Sequence, residues 1–230
     1  MRTVTLTKET TKDILENLLK RSPNQYGSYE TAVREILAKI QEEGDGALFA
    51  YTKKFDRAEI TEQNVRVTDE EIREAYETVD PALVDVIRKS LVNIRNYHEK
   101  QKQNSWFTSS EDGTMLGQKV TPLEKVGVYV PGGKAVYPSS VLMNIVPAKV
   151  AGVDRIIMTT PPGPDGKVNP STLVAANEAG ADEIYKAGGA QAIGALAYGT
   201  QSIPKVDKIV GPGNIFVALA KKSSLRTCEH

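Results

Sequence analysis

The sequence predicts an α/β fold in which a helical N-terminal region is followed by an incomplete, mainly parallel sheet with helices on both faces. Two observations support this fold class. Residues up to about 110 form charged amphipathic segments, and from residue 126 short apolar runs alternate with helical segments. An alternation of strand, turn and helix is typical of βα units, which assemble into parallel sheets.

Two amphipathic helices are predicted near the N-terminus. The first reads TKDILENLLKR and the second reads YETAVREILAKIQEEGD. Apolar residues of the second recur every three or four positions, as on one buried helix face, at Val33, Ile36, Leu37 and Ile40. Gly44 is a natural stop for this helix.

Capping residues predict two further helices. Thr68 and Glu71 form a capping-box pattern before IREAYETV, and Asp80 with Pro81 supplies an N-cap and first-turn proline for a long helix. This long helix carries His98 near its charged end, where we interpret the histidine as solvent-exposed or favoured by the helix dipole. The following SWFTSSEDGTMLGQKVTP is predicted to form a hairpin.

Four βα units are predicted from residue 126 onward. They read VGVYV then SSVLMNIVPAKVAG, RIIMTT then PSTLVAANEAG, EIYKA then AQAIGALAYG, and KIV then NIFVALAKK. Glycines fall where helix C-caps are expected, at Gly152, Gly180 and Gly199. Asn169 and Pro170 form an N-cap and first-turn pair. Pro147 lies inside the first of these helices, so we expect a kink or two short helices there.

These patterns divide the chain into four segments. We predict an N-terminal helical region at residues 1–110, a hairpin or linking strand at 111–125, a Rossmann-like domain at 126–222 and an unmatched tail at 223–230. In open α/β sheets small ligands bind at the carboxyl ends of the strands. The turns that follow the four strands are therefore the first place to look for a site.

Composition and charge argue against several classes of function. Apolar residues make up 40% and charged residues 25% of the 230 residues, as in a globular protein with a sizeable core. Lys plus Arg and Asp plus Glu both number 29, so no net charge attracts nucleic acid or an anionic membrane. We identify no signal peptide or membrane span. The single cysteine, Cys228, allows no internal disulfide and is typical of a cytoplasmic protein.

Three of the four strand-to-helix turns are rich in glycine: PGG at 131–133, GGAQ at 188–191 and GPGN at 211–214. We expect them to gather along one edge of the sheet, where they could cradle a ribose or phosphate. Glycine also suits tight βα corners that bind nothing. The usual dinucleotide fingerprint G-x-G-x-x-G is missing, and the second strand ends in Thr159, Thr160 and Pro161 where an acidic residue would bind ribose.

Several long motifs closely resemble the histidinol dehydrogenase family. They are VGVYVPGGKAVYPSSVLMNIVPAKVAGV, GGAQAIGALAYGT and VDKIVGPGN, with EEGDGALFAYTKKFD in the N-terminal part, and the likeness covers roughly residues 30–222. The resemblance implies NAD-dependent oxidation of the small-molecule substrate L-histidinol to L-histidine by a homodimer. It also implies cofactor-binding roles for Tyr129, Gln191 and Asn214. A core aromatic is the alternative for Tyr129, and helix capping is the alternative for the two amides.

The resemblance stops after Lys222, where the family continues into a half that holds its zinc ligands and catalytic histidine. The tail SSLRTCEH matches nothing expected there, and its Cys228, Glu229 and His230 cannot close a metal shell alone. We therefore expect no catalytic and no metal-binding residue in this chain, which we interpret as a truncated form, inactive alone. The alternatives are a non-catalytic nucleotide-binding or interaction module and a relative that oxidises another small alcohol.

Overall fold

The structure, a computed structural model, describes residues 5, 7–19, 27–132 and 136–224. Gly133 of the first glycine-rich turn lies outside the described residues. The same holds for Cys228, Glu229 and His230 of the tail.

The N-terminal part is helical, and its described helices are α1 (Lys8–Leu19), α2 (Gly27–Glu43), α3 (Asp45–Asp56), α4 (Asp69–Thr78) and α5 (Pro81–Glu99). An antiparallel hairpin of β1 (Trp106–Ser109) and β2 (Met115–Gln118) follows. The rest alternates strand and helix as β3 (Lys125–Tyr129), α6 (Pro138–Ala151), β4 (Arg155–Thr160), α7 (Pro170–Ala179), β5 (Glu183–Lys186), α8 (Gly189–Tyr198), β6 (Lys208–Val210) and α9 (Ile215–Ser224). The α/β class and the four βα units are confirmed.

Local hydrogen bonds explain where several helices begin. The Thr68 hydroxyl accepts from the backbone N–H of Glu71 at 3.2 Å, and the Glu71 carboxylate accepts from the Thr68 N–H at 3.0 Å, which completes the predicted capping box. Asp80 accepts from the Ala82 N–H at 2.8 Å and caps α5. Such caps satisfy N–H groups that have no partner inside the helix.

Pro147 lies within one uninterrupted helix, α6, so the alternative of two short helices is wrong. Its ring removes a single hydrogen bond near the last turn. Val146 and Val150 are buried on either side of the proline, and this packing holds the helix together.

The four described βα strands form a parallel sheet in the order β5-β4-β3-β6. In chain order this is third, second, first, fourth, the arrangement of half a Rossmann fold, with its switch point between β3 and β6. The N-terminal region extends the sheet, because residues 65–67 run antiparallel along β5. The Val67 N–H donates to the Ile184 carbonyl at 2.9 Å, and the Lys186 N–H donates to the Val65 carbonyl at 2.8 Å.

Helices cover both faces of the sheet, and each face has its own buried cluster that includes N-terminal helices. On one face α2 and α3 pack against α8 and α9. Gly194 permits this approach, since a Cβ there would lie 3.1 Å from a Leu37 methyl. On the other face α4 and α5 pack against α6 and α7, where Glu178 accepts hydrogen bonds from Tyr76 at 2.7 Å and from Arg88 at 2.8 and 2.9 Å. The domain boundaries remain predictions, but the N-terminal helices share their cores with the sheet.

The predicted hairpin is present and lies on the surface. Its turn is closed by the Ser110 N–H, which donates to the Thr114 carbonyl at 2.9 Å. Every residue of β1 and β2 is exposed. Its large apolar side chains are Trp106, Phe107, Met115 and Leu116, which are 55–70% exposed. The hairpin therefore presents an apolar surface to its surroundings.

No helix in the described part of the chain combines the length and apolar composition needed to cross a membrane.

Candidate functional site

The glycine-rich turns converge at the carboxyl edge of the sheet, as predicted. Pro161, just after β4, lies between two of them. A Cβ on Gly132 would be 2.6 Å from the Pro161 ring, and a Cβ on Gly188 would be 2.5 Å from it. Gly211, with φ of +117°, lies against the backbone of Tyr129. Only glycine allows such approaches, so the turns after β3, β4, β5 and β6 share one surface.

A cavity of about 300 Å³ opens at this edge, and Tyr129, Gln191 and Asn214 all line it. The wall of the cavity also includes Phe55, Asp56, Gly132, Pro161, Gly189 and Phe216. The cavity lies where β3 and β6 end, at the switch point of the sheet, and its volume is at the lower end of the range for small-molecule sites. The three positions singled out by the family resemblance thus lie together, although their contact with a cofactor remains a prediction.

A larger cavity of about 790 Å³ lies beside α5, α6 and residues 120–123, and no residue of the glycine-rich turns lines it. His98 lines it and its Nδ1 is 2.7 Å from the Gln101 side-chain oxygen. His98 lies in the last turn of α5, as predicted, but its side chain is half-buried rather than fully solvent-exposed. The larger cavity brings together none of the predicted site residues, so the smaller one is the better candidate.

Tyr129 joins the end of β3 to the start of α8. Its hydroxyl oxygen accepts a hydrogen bond from the Gly189 N–H at 3.1 Å, and the residue is 4% exposed. Burial raises the pKa of the Tyr129 hydroxyl, so the group stays protonated and keeps an O–H to donate. Tyr129 is therefore both a core aromatic and a wall of the cavity.

The two amides differ in what they do for their helices. Asn214 caps α9, because its Oδ1 accepts from the N–H groups of Phe216 at 3.0 Å and Val217 at 3.2 Å. Its amide nitrogen is the remaining polar group. Gln191 is not a cap, since Gly188 occupies the N-cap of α8 without a side-chain hydrogen bond. Gln191 is 1% exposed, and a buried amide at a cavity wall is suited to bind a polar ligand group.

Asp56 is a further residue of the cavity wall, and the sequence patterns did not single it out. It ends α3 and lines the cavity, and its Oδ2 is buried without a hydrogen-bond partner. Burial raises the pKa of this carboxyl to about 6. The next residue, Arg57, has φ of +59°, the one positive value at a non-glycine position among the described residues. Asp56 stands in the quoted motif EEGDGALFAYTKKFD, but no local pattern places it beside β3.

Aromatic rings flank the cavity. Phe55 is 51% exposed and stacks on Tyr51 with a centroid distance of 5.7 Å and an interplanar angle of 6°. Phe216 meets the ring of Tyr29 edge-on at 5.3 Å. Aromatic faces, the buried amide of Gln191, the exposed amide of Asn214, a helix N-terminus and a carboxylate together suit a nucleoside, which has a flat base and hydroxyl groups.

Within the described ranges, no three His, Cys, Asp or Glu side chains are grouped so that they could hold a metal ion. Zinc needs about four such donors that converge on one point. The described residues therefore do not fit a zinc site of the kind that the family resemblance implies.

Comparison with known proteins identifies relatives along nearly the whole chain. The family model described as histidinol dehydrogenase matches residues 19–229. Histidinol dehydrogenase of Heliobacterium mobile is 54% identical over 214 residues, which cover 93% of this chain and 50% of that protein. The Bacillus subtilis (strain 168) enzyme is 60% identical over 190 residues, covering 83% and 44%.

Comparison with solved structures identifies the same family. A crystal structure of histidinol dehydrogenase from Elizabethkingia anophelis matches with a TM-score of 0.82 and 40% identity, over 86% of this chain and 46% of that one. The chain thus spans about half the length of the curated relatives that it matches. The family match is wider than residues 30–222 and includes most of the segment 223–230 that the motifs left unmatched. On these matches the chain belongs to the histidinol dehydrogenase family.

Proposed function

We propose that the chain carries the NAD-binding part of an enzyme that oxidises L-histidinol to L-histidine in histidine biosynthesis. NAD supplies the hydride acceptor when it is bound. The chain's own residues bind and orient the cofactor, and we assign none of them a role in proton transfer to the substrate. We also propose a cytoplasmic location and assembly as a homodimer.

The observation that carries this proposal is the joint placement of Tyr129, Gln191 and Asn214 around one cavity at the switch point of the sheet. They come from three different strand-to-helix turns, so the fold has to bring them together. Helices α8 and α9 begin at the same edge of the sheet. The N–H groups at a helix N-terminus favour the negative charge of a pyrophosphate. A dinucleotide therefore finds aromatic, amide and N–H partners without the usual G-x-G-x-x-G sequence.

Zinc and the catalytic base belong, in this proposal, to the other half of the family's length. The described residues offer no group of metal donors, and His98 is the one histidine among them, at the larger cavity. We therefore expect that this chain alone forms no NADH from L-histidinol and holds no stoichiometric zinc.

NAD binding to the 230-residue chain, measured by calorimetry, tests the cofactor part of the proposal. We expect weak binding that Gln191→Ala weakens by about tenfold, as for the loss of one buried polar contact. Gln118→Ala is a matched control, because Gln118 lies on the exposed strand β2. No binding at millimolar NAD, or equal loss in both variants, would contradict the proposal.

A measurement of turnover distinguishes part of an enzyme from a non-catalytic nucleotide-binding or interaction module. NADH formation and zinc content are measured for the chain alone and for residues 1–222 joined to the remaining half of the 60% identical Bacillus subtilis relative. We expect activity with L-histidinol from the joined protein only. Activity of the joined protein with another small alcohol instead would point to a different substrate. Activity of the chain alone would show that the chemistry lies within it.

A further inference from the structure

We infer that Asp56 binds the adenosine ribose and selects a cofactor with a free 2′-hydroxyl, NAD, against one with a 2′-phosphate, NADP. This inference rests on the proposed function, since it concerns the same cavity. It adds a specificity-determining residue from α3, a helix outside the βα units.

Asp56 takes the place of an acidic residue that the sheet lacks. In dinucleotide-binding sheets an acidic residue at the end of the second strand binds the ribose hydroxyls. Here β4 is the second strand and ends in Thr160 followed by Pro161. Pro161 nevertheless lines the cavity, and Asp56 lines the same cavity from α3. A carboxylate is thus present beside the second-strand end, although the chain supplies it from another element.

Asp56 lacks the partners that a structural carboxylate has. Its Oδ2 is buried with no hydrogen bond, although buried polar atoms are almost always paired. It ends a helix, where the negative end of the helix dipole opposes a carboxylate. By contrast Asp45, at the start of the same helix, accepts from the Ser202 hydroxyl and N–H. The Oδ2 of Asp56 therefore has an unused capacity to accept a hydrogen bond from a ligand group that reaches it.

The hydroxyl groups of a ribose suit the unpartnered oxygen of Asp56, and a phosphate group does not. A vicinal diol offers two O–H donors to a carboxylate. A 2′-phosphate would bring like charge against Asp56 in a partly buried place, where charges interact strongly. Among the described residues that line the cavity, Asp56 and Tyr129 are the titratable ones and none is a cation. Three cations lie on or beside the last turn of α3. They are Lys53, which pairs with Glu59, Lys54, which lies over the Phe55 ring, and the neighbouring Arg57.

The dissociation constants of NAD and NADP, and of 5′-AMP and adenosine 2′,5′-bisphosphate, test the inference on the full chain and on Asp56→Asn. We expect the native chain to favour NAD and 5′-AMP. Asp56→Asn should reduce each preference by about tenfold or more, through weaker binding of the hydroxyl form and tighter binding of the phosphate form. Glu59→Gln is the matched control. It removes one negative charge nearby, from an exposed glutamate paired with Lys53.

The outcomes distinguish failure of the proposed function from failure of the inference about Asp56. If the native chain binds none of the four probes, the proposed function fails and the inference fails with it. If the native chain binds NAD and Asp56→Asn keeps the native preference, only the inference fails. If Asp56→Asn does not fold, the native chain still decides, because neither the adenosine ribose nor the pyrophosphate of NAD titrates between about pH 5 and 8. NAD binding should then weaken as the pH falls through about 6, where Asp56 becomes protonated. Binding that does not change over that range would overturn the inference.

Discussion

The α-carbon of Gly211 faces the carbonyl of Tyr129, and a Cβ at position 211 would lie 2.0 Å from that oxygen. This contact fixes the turn after β6 against the end of β3, which are the two strands that border the cavity. Lys221 supports the same turn, because its amino group donates to the Gly211 carbonyl at 2.8 Å. The geometry of the cavity therefore depends on a glycine at position 211, because any larger residue would push the two turns apart.

Gly211→Ala should lower the free energy of unfolding by about 2 kcal/mol or more, since the new methyl group meets backbone and the positive φ is strained. Gly113→Ala is the control. Gly113 also has a positive φ, of +86°, but nothing lies within 4 Å of its would-be Cβ. Gly113→Ala should lower the free energy of unfolding only by the strain of its positive φ, about 1 kcal/mol. Equal midpoints of the two variants in urea unfolding would show that the contact with Tyr129 does not matter.

Asn214 allows capping and cofactor binding to be separated. Asn214→Ala removes the cap of α9 and should cost about 1 kcal/mol. Asn214→Ser keeps a capping oxygen but lacks the amide nitrogen, so it should retain most of the stability. We expect both variants to bind NAD more weakly than the native chain. Calorimetry together with thermal unfolding checks this, and native NAD affinity in Asn214→Ser would leave capping as the only role of Asn214.

Asp56 should make stability depend on pH in an uncommon direction. Burial raises its pKa in the folded chain from 3.8 to about 6, so the folded state binds this proton more tightly than the unfolded state. The free energy of unfolding should therefore fall as the pH rises from about 4 to 7. Asp56→Asn should be more stable than the native chain near pH 7.5 by about 1–2 kcal/mol, after allowance for solvent screening, and similar to it near pH 4.

Urea unfolding at several pH values measures this difference. Glu59→Gln again serves as the control, because its carboxylate is on the surface and its pKa is lowered by Lys53 rather than raised. A loss of stability in Asp56→Asn at pH 7.5 would mean that the carboxylate has a structural partner after all.

The exposed hairpin should cause self-association. Trp106 and Leu116 share one face of its two strands, whereas Phe107 and Met115 share the other. Threonine keeps the strand preference while removing apolar area. We therefore expect one of the double variants, Trp106→Thr with Leu116→Thr or Phe107→Thr with Met115→Thr, to shift the chain toward the monomer in light scattering. The double variant that does so identifies the associating face.

Val92→Ala controls for apolar exposure elsewhere, since Val92 is 52% exposed on α5. A native chain that is already monomeric would contradict the prediction and weaken the proposed dimer.

Features encoded by neighbouring residues could be predicted from the sequence, and features that depend on distant contacts could not. The capping box at Thr68 and the cap at Asp80 are local patterns, and both are confirmed. The edge pairing of Val65 with Lys186 joins segments that no local pattern connects. The same is true of Asp56, whose importance comes from burial beside β3. Tyr129, Gln191 and Asn214 could be predicted as cofactor-binding because they stand in family motifs, and only the fold shows that they share a cavity.

The packing of α2 on α8 and α9 has a consequence for synthesis on the ribosome. α2 ends at Glu43 and α8 begins at Gly189, so α2 leaves the ribosome long before its packing partner exists. At about 5–20 residues per second, the delay is roughly 7–30 s. During that time Val33 and Leu37, which are buried in the finished fold, lack the cover of α8 and α9. The nascent chain is then a natural client for chaperones that bind exposed apolar segments.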